Sequence, residues 1–217
     1  QIHYPFQNIE WLNLDETDTY LASNWNKPIP TVNGVKVNRN RSTYSKMYDE
    51  LCNIFKKKLA PYDIVYTHNP WGEYGHEEHV SVFNSVQNSI FGCNKKLFVS
   101  CYVSDRSEKL YLKQKHILKG ETQQGIISKK LCAEIKNLYI KYNCWTWDDN
   151  YEWPYAEFFV EVENFKFLNT NNVNILTANS PIMFFSKSYK KNTIRTIISK
   201  NFPKKIIFMI KSIFLQR

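Results

Sequence analysis

The chain is expected to fold as an α/β domain, with helices on the faces of a mostly parallel sheet. Three observations carry that expectation. Segments with helical apolar spacing alternate with short apolar strand-like runs. One such run is followed by a thirteen-residue loop, His68 to Val80, that holds three of the five histidines and three carboxylates. Open α/β sheets place their chemistry at that position, just beyond a strand end. Finally, 217 residues with 14 Phe, 14 Tyr and 6 Trp are enough to fill the core of one domain.

Residues 1–40 read as irregular, with Pro5, Pro28, Pro30 and Gly34 as breakers. Ser42–Leu59 is the first expected helix. Tyr44, Met47, Tyr48, Leu51, Ile54 and Phe55 fall on one face, and Ser42 can cap it. Asp63–Thr67 reads as a strand, Val80–Phe91 as a helix and Leu97–Val103 as the next strand. Ser107–Leu118 reads as helical and Glu121–Gln124 as a turn. Ser128–Tyr142 is a further helix with Leu131, Ile135, Leu138 and Tyr139 inward, and Phe158–Val162 is a strand. Residues 1–185 form the expected domain and 186–217 a basic amphipathic tail.

The net charge of +9 is placed unevenly. After Glu163 there is no acidic residue, and that stretch carries ten of the 29 Lys and Arg. The rest has 19 basic against 20 acidic side chains, so the body is close to neutral and nucleic-acid binding is not expected. No run of 18 apolar residues occurs, and no signal peptide is visible. Five cysteines without a CxxC pair read as reduced thiols in a cytoplasmic protein.

In the loop, His76 and His79 are three apart, so both can face one space from a first helical turn. Imidazole is the commonest metal ligand near neutral pH. A catalytic zinc takes three protein ligands and keeps a fourth position for water. A carboxylate can complete the set or take the water's proton. The blander alternative is an acidic helix start, with Glu77 and Glu78 complementing the helix dipole and the histidines incidental.

The segment Tyr66-Thr67-His68-Asn69-Pro70-Trp71-Gly72-Glu73-Tyr74-Gly75-His76-Glu77-Glu78-His79 resembles the second signature, Gly-His-Pro-Asp-His, of the PIG-L/LmbE deacetylases. These zinc enzymes remove an N-acetyl group, mostly from N-acetylglucosamine attached to another group. The resemblance covers about residues 40–163 and is sharp only in this loop. It implies a three-layer, Rossmann-like α/β sandwich. It implies His79 as a zinc ligand and His76 as the imidazolium that stabilises the oxyanion and protonates the leaving amine. Glu78, at the place of the family's Asp, would orient His76. Glu77 replaces the usual Pro.

The family's first signature, His-Pro-Asp-Asp-Glu, supplies two further zinc ligands and the general base, and this sequence does not contain it. One further strand and helix start is therefore expected upstream, and residues 1–217 alone are expected to bind zinc weakly.

Trp145-Thr146-Trp147-Asp148-Asp149-Asn150-Tyr151-Glu152-Trp153 combines aromatic faces with acids. Trp145 and Trp147 can stack on a sugar ring or plug the sheet's surface. Arg41, with Arg39, can reach a substrate phosphate or sit on the surface. Asp148 and Asp149 read as a solvated loop. The tail Lys204–Arg217 is too short to span a bilayer as a helix but suits the interface of an anionic membrane, or packs on the domain. The expected function is zinc-dependent deacetylation of an N-acetylated amino sugar. The alternatives are a sugar-binding relative without catalysis and a membrane-peripheral interaction protein that uses the tail.

Overall fold

The computed structural model describes residues 9–147, 151–163 and 183–185. The tail, Lys204 to Arg217, and the pair Asp148-Asp149 lie outside the described residues.

A small antiparallel pair, β1 (Pro30–Thr31) and β2 (Gly34–Val35), precedes helix α1 (Arg41–Lys58). Then come β3 (Ile64–Thr67), α2 (Glu77–Ile90), β4 (Lys96–Ser100), β5 (Tyr102–Ser104) and α3 (Glu108–Gln114). After a short 3₁₀ turn at Lys115–Ile117 follow β6 (Leu118–Ile126), α4 (Lys129–Lys141), β7 (Ala156–Val162) and β8 (Met183–Phe185).

The main sheet has the order β3-β4-β7-β6. Only β3 and β4 are parallel there, and the other two pairings are antiparallel. The expectation of a mostly parallel sheet is therefore corrected. A parallel neighbour needs a crossover helix packed on the sheet. Here α2 provides one between β3 and β4, whereas α4, between β6 and β7, has no buried residue. Its apolar face, expected inward, is only half-buried at Leu131, Ile135, Leu138 and Tyr139. Glu121–Gln124, read as a turn, lies inside β6, where Thr122 to Gln124 pair with Val160 to Phe158. Strand pairing at the sheet's edge outweighs the polar local composition. The run read as one strand from Leu97 to Val103 breaks at Cys101, whose N–H donates to Phe158 O at 3.0 Å, and becomes β4 and β5.

Helix α1 is amphipathic as expected, with Tyr44, Met47, Tyr48, Leu51 and Phe55 buried. Its cap residue is Asn40 rather than Ser42, and the Asn40 Nδ2 donates to Thr17 O at 3.0 Å. Lys56, Lys57 and Lys58 in the last turn complement the helix dipole. Helix α2 is buried almost all round and begins three residues before Val80. Its apolar residues Val80, Val82, Phe83, Val86 and Ile90 join the core with Val65, Leu97, Val99 and Val160 of the sheet. Asn84 on the same helix donates to Thr31 O and Val32 O, which fixes the β1–β2 turn against it. Among the described residues no helix is long and apolar enough to cross a membrane.

Candidate metal centre

The loop between β3 and α2 is built on buried hydrogen bonds. Asn69 is fully buried. Its Nδ2 donates to Tyr102 O at 3.0 Å and Ser100 O at 3.2 Å, and its Oδ1 accepts from the N–H of Glu73 at 2.8 Å. The Trp71 indole, also fully buried, donates to the same Tyr102 carbonyl at 2.5 Å. The loop is thereby tied to β4 and β5 by backbone acceptors.

Two glycines make the turn. Gly72 has φ +69°, and a Cβ there would stand 2.5 Å from His76 O. Gly75 has φ +86°, and a Cβ there would stand 2.8 Å from Arg106 Cγ. Left-handed backbone suits glycine because it has no Cβ. Glu73 also lies in the left-handed region, at φ 50°. It is held there by its N–H bond to Asn69 and by Ser107 Oγ, which donates to Glu73 O at 2.5 Å.

This backbone aims the Glu73 carboxylate at two histidines. Glu73 Oε2 lies 2.7 Å from His79 Nδ1 and 3.3 Å from His68 Nδ1. Glu73 Oε1 accepts from Asn69 N–H at 2.8 Å and Ser100 Oγ at 3.0 Å. The His68 and His79 rings stack with centroids 3.8 Å apart, and His76 stacks on His79 at 4.5 Å. His68, Glu73 and His79 each offer one ligating atom, all within 4.8 Å of one another, and could hold a metal ion. Their side chains are 14 %, 12 % and 12 % exposed. The set is thus nearly dehydrated yet reachable from solvent.

The protonation states suit metal binding. Burial and the neighbouring His68 push His79 down to about 4, against the opposing pull of Glu73. Burial, with His79, His68 and Arg106, pushes His76 down to about 3. Both rings are therefore neutral at pH 7, the form in which imidazole can ligate. Burial pushes the Glu73 carboxyl up, but His68 and His79 outweigh it and hold it well below the usual carboxylate range.

His76 is the N-cap of α2, and its Nδ1 accepts from Glu78 N–H at 3.3 Å. A neutral ring with Nδ1 accepting carries its proton on Nε2. His76 therefore has Nε2–H as its hydrogen-bond donor. The carboxylate of Glu78 accepts from the N–H of Thr17 at 2.8 Å and from its hydroxyl. The carboxylate beside the imidazoles is Glu73, not Glu78. Glu77 is fully buried and anchors the loop before β1, accepting from Ser23 N–H and Trp25 Nε1 at 2.8 and 2.9 Å.

The ligand set thus joins the expected His79 with two residues not singled out in the sequence, His68 and Glu73. His68 directly follows β3, where a strand-end side chain can face the site. Glu73 carries a signal only through Gly72 and Gly75, which bring it back under His79. Three candidate ligands from within the chain thus converge into a set that could hold a metal ion.

Other expected site residues lie apart. Arg41 is exposed, and its Nε donates to Val37 O at 2.9 Å. Trp145 and Trp147 pack with Tyr151 and Trp153 in a cluster of rings, with Trp145 and Trp147 centroids 5.2 Å apart. Among the described residues no ring contact joins this cluster to His76 or His79. Two tyrosine rings lie against those histidines, Tyr20 at 5.0 Å from His76 and Tyr74 at 5.3 Å from His79; both residues are exposed. A scan against protein-family models, a search of curated proteins and a search of solved structures each found no match to this chain.

Proposed function

We propose that the chain is a metal-dependent hydrolase that removes an N-acetyl group from an amino sugar. The observation that carries this reading is the His68–Glu73–His79 set, three ligating atoms within 4.8 Å of one another, with His76 stacked beside it. Two histidines and a glutamate match a zinc site that leaves one position for water. The second-signature resemblance of the loop supplies the reaction class and the substrate.

Bound zinc would polarise the acetyl carbonyl and lower the pKa of a water. The chain's own residues do the rest. Asn69, Ser100 and Trp71 fix the loop, so the ligands need little reorganisation on binding. His76 offers Nε2–H to the oxyanion that develops on the carbonyl. Glu78 fixes the His76 ring through its backbone N–H, and Thr17 fixes Glu78. Tyr20 and Tyr74 are exposed residues beside these histidines that a sugar can contact. Trp145 and Trp147 extend that sugar contact only for a long glycan, because they form a separate cluster.

The test is zinc titration of the full chain, together with acetate release from N-acetylglucosamine conjugates. Wild type is expected to bind one zinc tightly, and His79→Ala and Glu73→Ala are expected to lose it. His76→Ala should keep the metal and lose about 10²–10³ in kcat. Absence of zinc binding in wild type would instead make His68–Glu73–His79 a structural hydrogen-bond network. Unchanged turnover in His76→Ala would refute the role given to that ring.

A further inference from the structure

One cation beside the histidines is only partly neutralised. The Arg106 guanidinium lies 4.9 Å from the centre of the Tyr20 ring and 5.1 Å from that of Trp25. Among the described residues its carboxylate partner is Glu77, at a long 3.4 Å. Glu77 Oε1 is already shared with Ser23 and Trp25. Tyr20 in turn packs against His76, so the guanidinium sits one ring away from the proposed oxyanion donor.

The same strip of surface continues outward with Lys109 and Lys113, and exposed Glu108 stands one helical turn before the groove-lining Leu112. Arg106, Lys109 and Lys113 meet Trp25, Asn26 and Pro28 in turn. Lys109 Nζ lies 3.5 Å from Asn26 Oδ1, and Lys113 Nζ donates to Pro28 O at 2.6 Å. Both partners are neutral, so these two charges stay uncompensated by them. Between α3 and this segment runs an open groove of about 540 Å³, lined by Lys27, Pro28, Ile29, Lys109, Leu112 and Lys113. From Lys109 to Lys113 the helix rises roughly 6 Å. Lys109 and Lys113 over that length, with Arg106 outside the groove's lining beside Tyr20, match a ligand with more than one negative charge.

We propose that this groove binds a phosphate or diphosphate group of the molecule whose acetylated sugar is presented to His76. The sugar part rests on the hydrolase reading; the phosphate part rests on the groove alone. Arg106 receives the phosphate nearest the sugar as a planar fork of donors. Lys109, Lys113 and Lys27 receive the outer one. Exposed Ile29 and Leu112 offer apolar surface beyond it. A soluble nucleotide-type substrate and a lipid-linked one share this phosphate chemistry.

The test is titration of the full chain with inorganic pyrophosphate, in wild type and in His79→Ala. Binding that weakens with salt and persists in His79→Ala is expected, because the groove does not use the metal ligands. Lys109→Glu should weaken binding about tenfold with an unchanged circular dichroism spectrum. Arg106→Lys should weaken it and raise KM more for phosphate-bearing conjugates than for neutral ones. Displacement of pyrophosphate by phosphatidylcholine vesicles containing phosphatidic acid, but not by pure phosphatidylcholine, assigns a lipid-linked substrate; no displacement assigns a soluble one. No pyrophosphate binding, or binding unaltered in Lys109→Glu, overturns the proposal. Pyrophosphate binding without acetate release would refute the hydrolase and leave the groove standing.

Discussion

The loop from His68 to His79 and the aromatic cluster around Trp145 are both rich in side chains suited to ligands, but they are built on opposite principles. In the loop, polar groups are buried and answer one another. Glu73 alone takes four hydrogen-bonding partners, and Asn69 spends both ends of its amide on backbone. In the cluster, rings touch rings, Lys136 lies over Trp145, and Trp147 stays 49 % exposed. Buried polar networks fix geometry because each unmatched partner is expensive in a low dielectric. Exposed aromatic faces offer area without fixing a direction. The first arrangement suits chemistry and the second suits contact.

Substitutions should separate the two regions sharply. Trp71→Ala empties a fully buried indole site and removes its bond to Tyr102, so it should cost about 3–5 kcal/mol in denaturant unfolding. If it costs no more than Trp147→Ala, the loop is not the rigid element described here. Glu73→Ala strands two imidazoles and the Asn69 N–H, and should cost about 3 kcal/mol and abolish zinc retention, read by calorimetry and metal analysis.

Acid should act through the loop and not through the cluster. An unfolded histidine titrates near 6.5, whereas folded His79 is pushed to about 4. Between those values the unfolded chain holds more protons, so stability falls as pH falls through this window. Folded His76 and the depressed Glu73 carboxyl act in the same sense. For His79 the full effect is on the order of 3 kcal/mol. A thermal midpoint that stays flat from pH 7 to pH 4 in the metal-free protein would contradict the buried neutral imidazoles.

Gly75→Ala should cost about 1–2 kcal/mol, because it strains a φ of +86° and displaces Arg106. Trp147→Ala should be the mildest change, within about 0.5 kcal/mol in stability, with any effect confined to KM for long glycans.

Helix α1, strand β3 and the core-facing residues of α2 were legible in the sequence, because burial on one face imposes a period that survives in any tertiary context. The loop was legible as a site because glycines, histidines and carboxylates crowd between a strand and a helix. His79 and His76 could be named from that spacing. Sheet direction was not legible. Whether β7 runs with or against β4 depends on where the intervening helix packs, and α4 shows that a strongly amphipathic helix can stay at the periphery. The polar run Glu121–Gln124 carries the composition of a turn and becomes strand only because β7 offers it a ladder.

The amino-acid sequence alone determined that a metal-ligating loop could exist and which element would carry it. Only the tertiary structure decided its membership. His68 and Glu73 are eleven and six residues before His79, spacings that belong to no helix or strand period. They converge because Gly72 and Gly75 reverse the chain and because Asn69 and Trp71 anchor it to Tyr102 at the start of β5. Local periodicity reports what one element buries. Ligand convergence depends on distances between elements, and these are set by packing.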